Sequence, residues 1–192
     1  MADPPQLDLG YEFRDPALLE RALTHSSFVN EAPGQAQSNE VLEYLGDAVL
    51  DMIVAEVLVT TMPEADEGTL TRLRASMVAE ASLGQVAAGI GLGAHLRLGR
   101  GEDSQGGRER PSLLADALEA VIGAAYQDGG LDAARSVVLR LFGPRLAEAA
   151  NAGLDPKSRL QEVVQARRHV TPSYRLVRSW GPDHDRFCEV VC

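Results

Sequence analysis

The chain has 192 residues, of which 45 % are hydrophobic and 24 % are charged, and its formal net charge is -10. This composition is typical of a globular protein with a hydrophobic core, and it excludes collagen, low-complexity fibres and full disorder. No apolar run approaches the roughly 18 residues of a membrane span, and the N-terminus lacks the features of a secretory signal, so we expect a cytoplasmic protein with no membrane partner.

The charge is divided unevenly along the chain. Residues 1–150 hold 11 basic and 23 acidic side chains, whereas residues 151–192 hold 7 basic and 5 acidic ones. Nucleic-acid-binding proteins are usually basic, because the neutralisation of phosphates supplies much of their affinity. A strongly acidic body therefore either repels phosphate or holds divalent metal ions that attract it.

Helical patterns dominate the first 150 residues. Asp15-Pro16 begins a helix, because aspartate is a favourable N-cap and proline is favourable at the first helical position. Residues 39–61 predict a long helix that a proline ends. A turn at residues 63–68 precedes another helix, which starts near Thr69.

Glycine punctuates the next part of the chain. Residues 99–111 are rich in glycine and charge, which predicts a mobile surface loop. A helix is expected from about Ser112 to Gln127, ended by Gly129-Gly130, and a further helix begins near Leu131. Because almost no strand pattern precedes residue 150, we expect an all-α domain over residues 1–150.

The pattern changes after this domain. Residues 157–168 predict a basic helix, and residues 174–179 and 186–192 alternate in the manner of two strands. A helix followed by a hairpin predicts a small, partial α+β domain over residues 155–192.

Four carboxylates share one face of the predicted helix at residues 39–61. At about 100° per residue they fall within roughly 80° of one another, opposite the apolar face. The four are Glu40, Glu43, Asp47 and Asp51. Taken alone, this pattern is also that of a solvated acidic face on an amphipathic helix.

A second pair of carboxylates favours a functional interpretation. Asp116 and Glu119 are the only charged residues in a helix that is apolar nearly all round, and they lie on one face. Such a helix is expected to be buried, where an unpaired carboxylate costs several kcal/mol, so the pair needs cations. Facing carboxylates suit Mg²⁺, or Mn²⁺. Because His25 and His95 lie far away in sequence and the body has no cysteine, zinc is disfavoured.

A carboxylate-held divalent metal is suited to phosphodiester hydrolysis. It also accounts for the acidic body, since a metal-loaded acidic pocket attracts phosphate. Composition and residue spacing by themselves indicate metal-dependent chemistry on a phosphate ester. They do not indicate a more specific reaction.

The motifs along the chain resemble a known family. Residues 39–50 have the sequence NEVLEYLGDAVL, which closely resembles the signature helix of bacterial ribonuclease III. The supporting motifs follow in the family's order: LTHSS (23–27), DEG (66–68) with RLRA (72–75), LADALEAVIG (114–123), DPKSRLQE (155–162) and GPDH (181–184). The last two resemble parts of a double-stranded-RNA-binding domain, although the third strand and second helix of such a domain are absent.

The resemblance implies a homodimeric, Mg²⁺-dependent endonuclease. Such an enzyme cuts both strands of double-stranded RNA with a stagger, leaves 5′-phosphomonoesters, and acts in processing ribosomal, messenger and other RNA. The positions that match the metal-binding carboxylates are Glu43, Asp47, Asp116 and Glu119, and Asp47 and Glu119 match the catalytic pair.

The resemblance also implies roles around this centre. Glu40 and Glu67 match acidic positions at the RNA-facing rim, and Tyr44 matches an aromatic residue at the dimer interface. From its position in the helix alone, Tyr44 would be a half-buried core residue. The tail positions that match RNA-binding residues are Gln161, Glu162, Pro182 and His184.

Two other classes of function compete with the nuclease. One is a non-catalytic double-stranded-RNA-binding or ribosome-associated protein that keeps the nuclease fold, but such relatives typically lose acidic positions that this chain retains. The other is a helical dimerisation module with acidic faces, which does not explain Asp116 and Glu119 in an apolar helix.

Overall fold

The computed structural model describes residues 7–31, 34, 36–152, 175–180 and 187–191. The chain divides into two units, Met1–Ala150 and Asn151–Cys192. The helices are, in chain order, α1 (Pro16–Ala22), α2 (Ser26–Glu31), α3 (Glu40–Thr61), α4 (Glu67–Val78), α5 (Glu80–Gly89), α6 (Arg100–Ser104) and α7 (Pro111–Ala152), with short 3₁₀ helices at Leu92–His95 and Gly107–Glu109. The expected all-α fold of the first 150 residues is confirmed for the residues that the structure describes.

The helix boundaries follow from local capping. The side chain of Asp15 accepts a hydrogen bond from the backbone N–H of Ala17 at 3.0 Å and so caps α1. Helix α3 ends at Thr61, directly before Met62-Pro63, the predicted stop. Helix α7 is interrupted at Gly130, whose φ of 72° is left-handed and therefore suits glycine. The predicted break between two helices at this point is confirmed.

One predicted helix is shifted and divided. The side chain of Asp66 accepts a hydrogen bond from the backbone N–H of Thr69 at 2.7 Å, which starts α4 at Glu67 instead of near Thr69. Ala79 then adopts extended backbone angles, so the helical pattern continues as a separate helix, α5. Periodicity did not reveal this break, because no glycine or proline marks it.

The expectation of a mobile loop over residues 99–111 is wrong. This segment forms α6 and a short 3₁₀ helix. The Arg108 guanidinium donates hydrogen bonds to the carbonyl oxygens of Gly93, Ala94 and Leu96 at 3.0, 3.3 and 2.8 Å. This one arginine therefore supplies hydrogen-bond donors to carbonyl groups at the end of the preceding 3₁₀ helix. The same bonds hold the segment in a fixed position.

The core lies between α3, α5 and α7. Its largest fully buried side chains include Leu42, Leu50, Ile53, Leu58, Leu83, Leu118, Ile122, Val137 and Phe142. None of the helices in the described part of the chain combines the length and apolar character that crossing a bilayer requires.

The second unit contains the predicted hairpin. Strand β1 (Arg175–Trp180) pairs with β2 (Phe187–Val191) in an antiparallel arrangement, with Arg175 opposite Val191 and Trp180 opposite Phe187. The predicted basic helix at residues 157–168 lies outside the described residues, as do the four predicted RNA-binding positions of the tail.

Candidate metal centre

Two glycines let α3 and α7 cross at very short range. A Cβ atom at Gly46 would lie 1.8 Å from the carbonyl oxygen of Glu119, and one at Gly123 would lie 2.2 Å from that of Leu42. Real Cβ atoms do not tolerate such contacts, so the crossing requires glycine on both helices. Because Glu43 lies one turn from Gly46, the crossing brings the acidic faces of the two helices together.

Three carboxylates meet at this crossing. Glu43, Asp116 and Glu119 are each partly buried, and each offers one carboxylate oxygen that lies within 4.8 Å of the other two. Asp47, the fourth predicted metal ligand, is exposed and lies outside this group of three. Its charge nevertheless raises the pKa of Glu119, so it lies close to the group.

The crowded carboxylates hold their protons more tightly than usual. Burial, followed by the charges of Asp47, Glu43, Asp116 and Asp51, raises the pKa of Glu119 to about 8. Burial, followed by the charges of Asp116 and two neighbours on α3, raises the pKa of Glu43. Three close carboxylate oxygens without a cation are the arrangement that a hard divalent ion relieves, so the donor set fits such an ion.

The electrostatics of Asp116 reveal two neighbours that the sequence did not place here. Burial and the charge of Glu80 raise the pKa of Asp116, whereas the charge of His25 lowers it. Glu80 begins α5, and nothing in its local pattern distinguished it from other acidic residues at helix starts. His25 lies closer to the site than its distance in sequence indicated.

The two predicted rim carboxylates are exposed. Glu40 accepts a hydrogen bond from the hydroxyl of Ser38 at 2.9 Å, and Glu67 accepts one from the hydroxyl of Thr71 at 2.9 Å. Neither belongs to the group of three, so both remain predicted contacts at the periphery of the centre.

A family model described as "Ribonuclease-III-like" matches residues 15–146, which contain all the carboxylates of the centre. The chain belongs to the ribonuclease III family. It is 49 % identical over 184 residues to Ribonuclease 3 of Oleidesulfovibrio alaskensis, a match that covers 95 % of this chain and 80 % of the relative. Ribonuclease 3 of Symbiobacterium thermophilum is 50 % identical over 185 residues, covering 95 % of this chain and 77 % of that protein.

Solved structures of the family share the fold. The nuclease domain of ribonuclease III from Campylobacter jejuni is 43 % identical, with a TM-score of 0.65, and covers 71 % of this chain and 92 % of its own. Dicer from Pichia stipitis is 26 % identical, with a TM-score of 0.53, and covers 99 % of this chain and 84 % of its own. The chain is thus an endoribonuclease with the ribonuclease III nuclease fold, and nothing in these comparisons favours the non-catalytic alternative.

The residue predicted to lie at the dimer interface, Tyr44, is not a core residue. Tyr44 is 82 % exposed, and Val41 and Met52 on the same side of α3 are 60 % and 47 % exposed. The prediction from helical periodicity that Tyr44 is a half-buried core residue is therefore wrong. Exposed apolar side chains on one side of a helix are typical of an interaction surface.

The stability of the metal-free protein is expected to fall as the pH rises. The pKa of Glu119 is about 8 in the folded chain against an ordinary value of 4.5, so the folded state keeps its proton over this range. The free energy of unfolding should therefore decrease between about pH 4.5 and pH 8, by about 1–2 kcal/mol after allowance for solvent screening of a partly exposed group. Urea unfolding in EDTA at a series of pH values measures this decrease.

Two controls accompany this measurement. Saturating Mg²⁺ should remove most of the decrease, because a bound cation stabilises the charged carboxylates. Glu119→Gln, which cannot ionise, should also reduce it. A free energy of unfolding that is flat from pH 5 to 8 in EDTA would show that the three carboxylates are not crowded in solution.

Proposed function

We propose that this chain hydrolyses double-stranded RNA at the centre formed by Glu43, Asp116 and Glu119, with Asp47 completing the ligand set. The observation that supports the proposal is the meeting of three carboxylate oxygens from two helices within 4.8 Å. We take Mg²⁺ as the physiological ion, with Mn²⁺ as a substitute, since both prefer oxygen ligands.

The chain's own residues would hold the ion and prepare the site. Glu43, Asp116 and Glu119 supply the oxygen ligands from rigid helices, and the glycine contact fixes their spacing. Asp47, at the exposed side of the group, faces the solvent from which water and RNA arrive. A bound divalent ion supplies two things: it lowers the pKa of water and it neutralises charge on the phosphate.

The acidic surface makes RNA binding depend on the metal. Glu40, Asp47 and Glu67 are exposed, and the charges of Glu40 and Asp47 act on Glu43 in the group of three carboxylates. A phosphate is repelled from such a surface until cations reduce its charge. We therefore assign Glu40 and Glu67 to the RNA-facing rim and Asp47 and Glu119 to the catalytic pair.

The second unit is assigned to duplex binding. The basic excess of residues 151–192 and the antiparallel hairpin of β1 and β2 support a partial double-stranded-RNA-binding domain over residues 155–192 that follows the nuclease domain at 1–150. Gln161, Glu162, Pro182 and His184 are its proposed contacts. A cytoplasmic location and a role in processing ribosomal and messenger RNA remain predictions.

Cleavage of a long RNA duplex tests the proposal directly. With Mg²⁺ the chain should cut both strands at staggered positions and leave 5′-phosphate ends, and EDTA should abolish the cuts. The non-catalytic alternative instead predicts binding of the duplex without cleavage. Cleavage that persists in EDTA, or that is as fast on single-stranded RNA, would contradict the proposal.

The exposed stripe of α3 supports a homodimer. A single centre cuts one strand, so a staggered double cut calls for two centres related by symmetry, and a two-fold interface buries the same face of both copies. Tyr44, Val41 and Met52 provide an apolar face for this contact. The nuclease domain of ribonuclease III from Campylobacter jejuni is described as flexible in a region involved in dimer formation.

Charge placed on this stripe should separate the subunits. Tyr44→Glu buries a carboxylate in the proposed interface, and we expect it to weaken dimerisation by about 2 kcal/mol or more, roughly thirtyfold. Sedimentation velocity at micromolar concentration measures the change. Leu139→Glu, at an exposed apolar position on α7, is the matched control and should leave the dimer intact. A wild-type chain that sediments as a monomer would contradict the dimer.

A further inference from the structure

The acidic face of α3 carries one carboxylate, that of Asp51, to which neither the metal centre nor the RNA-facing rim assigns a role. Asp51 follows Asp47 by one helical turn, so it lies about 6 Å further along the axis on the same side of the helix. Its charge also contributes to the raised pKa of Glu119. Asp51 therefore lies beside the proposed ligands, where a free carboxylate would compete for the divalent ion.

The Asp51 carboxylate is held by an arginine of the next helix. Arg74 of α4 donates a hydrogen bond from its Nη1 atom to Oδ2 of Asp51 at 3.4 Å, and the two groups form an ion pair. The other carboxylate oxygen, Oδ1, is buried and has no hydrogen-bond partner in the part of the chain that the structure describes. A desolvated charged oxygen favours a cation nearby, and Arg74 supplies that positive charge.

Helix α4 buries little of its own surface. Over its 12 residues, all of which the structure describes, Met77 is the one buried side chain, and Leu70 and Leu73 pack against the core only in part. These three apolar residues share one side of the helix, and Arg74 lies at the margin of that side. The ion pair with Asp51 therefore adds a directional contact to a shallow apolar one.

Helix α5 extends this connection from α4 to α7. A Cβ atom at Gly84 of α5 would lie 3.0 Å from the carbonyl oxygen of Pro111, which begins α7. The Arg145 guanidinium of α7 donates a hydrogen bond to the hydroxyl oxygen of Ser82, on α5, at 2.8 Å. Helices α4 and α5 thus connect the two helices that carry the metal ligands, and the ion pair lies at the α3 end of this connection.

We propose that Arg74 is a positioning residue for the metal centre: it ties α4 to the acidic face of α3 and keeps Asp51 paired, so that the divalent ion binds at the group of three carboxylates and not at Asp51. The inference rests on the proposed function, because it takes that group as the ligands of the ion. An ion pair as exposed as this one contributes little to stability. Loss of Arg74 should therefore leave the fold intact, release the Asp51 carboxylate and displace the ion.

Arg74→Met removes the charge and keeps much of the length of the side chain. At saturating Mg²⁺ we expect it to lower the single-turnover rate of duplex cleavage about tenfold, since a misplacement of about 1 Å can cost up to about a hundredfold. Its affinity for Mn²⁺ should not fall, because the released Asp51 adds an oxygen ligand. Arg74→Lys, which keeps the positive charge, should retain most of the wild-type rate.

A second substitution shows whether Arg74 acts through Asp51. Asp51→Asn removes the competing charge, so Arg74→Met combined with Asp51→Asn should cleave within about threefold of the rate of Asp51→Asn alone. A merely structural loss at Arg74 would not be corrected in this way. The Mn²⁺ affinity of each full-length variant is measured by titration, with the electron paramagnetic resonance signal of the free ion as the readout.

Another ion pair on α3 provides the matched control. Nη2 of Arg135, on α7, lies 2.6 Å from Oε2 of Glu56, so this pair also ties α3 to a neighbouring helix. Glu56 lies about 140° around α3 from Asp51, away from the acidic face. Arg135→Met should therefore cleave at the wild-type rate.

Three outcomes would overturn the inference. The first is wild-type cleavage by Arg74→Met. The second is a defect that Asp51→Asn does not correct, and weaker duplex binding in Ca²⁺ would then assign Arg74 to an RNA phosphate. The third is a loss of Mn²⁺ affinity in Asp51→Asn as large as that in Glu119→Gln, which would make Asp51 a ligand.

Two further comparisons keep the result interpretable. If Arg74→Met does not fold, Arg74→Gln removes the same charge with a polar side chain and is subject to the same three outcomes. If Glu119→Gln leaves both cleavage and Mn²⁺ binding unchanged, the metal centre is wrong and the proposed function fails. A centre that depends on Glu119 but is indifferent to Arg74→Met rejects only the role of Arg74.

Discussion

Glu119→Gln is expected to lower the rate of duplex cleavage by about 10³-fold or more at saturating Mg²⁺. The substitution preserves the size of the side chain but removes a charged oxygen ligand from the group formed with Glu43 and Asp116. The lost ligand stabilises mainly the transition state. The turnover number should therefore fall far more than the affinity for the duplex does. Single-turnover cleavage of a labelled duplex measures the rate.

The control for this variant lies on the same helix. Glu148→Gln removes an exposed carboxylate of α7 far along the chain from the centre and should cleave at the wild-type rate. Duplex binding in Ca²⁺ should persist in Glu119→Gln, because the fold and the remaining ligands are unchanged. If Glu119→Gln cleaved the duplex at the wild-type rate, the assignment of Glu119 to the metal centre would be wrong.

Gly46→Ala is expected to lower the free energy of unfolding strongly and to abolish activity. The added Cβ would lie 1.8 Å from the carbonyl oxygen of Glu119, which is backbone and cannot move aside without separating α3 from α7. Overpacking of a core usually costs about 1–3 kcal/mol, and a backbone clash at a central helix crossing should lie at or above the upper end. Urea unfolding and the yield of folded protein measure the effect.

Another helical glycine offers a matched control. A Cβ at Gly143 on α7 would meet nothing within 4 Å. Gly143→Ala should therefore be neutral or stabilising by up to about 1 kcal/mol, because alanine has the higher helix propensity. If Gly46→Ala were as stable as Gly143→Ala, the close crossing of α3 and α7 would be contradicted.

The sequence predicted the features that depend on local chemistry. The N-cap at Asp15, the end of α3 and the break at Gly130 each follow from a residue type that favours one backbone conformation, and the structure confirms all three. The acidic faces of α3 and α7 were also visible, because helical periodicity determines which residues share a face. These signals indicated where carboxylates would gather.

Features that depend on contacts distant in sequence were not predicted. Gly46 and Gly123 are unremarkable within their helices, and their role arises only where the helices cross. Arg108 orders its segment through carbonyl groups 12 to 15 residues away. The backbone N–H of His25 donates to the carbonyl oxygen of Arg97, a pairing that no local pattern encodes.

The most direct test of the metal centre is anomalous diffraction from crystals of the full chain soaked in Mn²⁺ at about pH 8, where the pKa of Glu119 allows much of its carboxylate to ionise. We expect an anomalous peak bounded by the carboxylates of Glu43, Asp116 and Glu119, and no such peak in Glu119→Gln soaked at a concentration that just saturates the wild type. A peak elsewhere, or none in wild-type crystals at a Mn²⁺ concentration that supports cleavage in solution, would contradict the assignment of this centre.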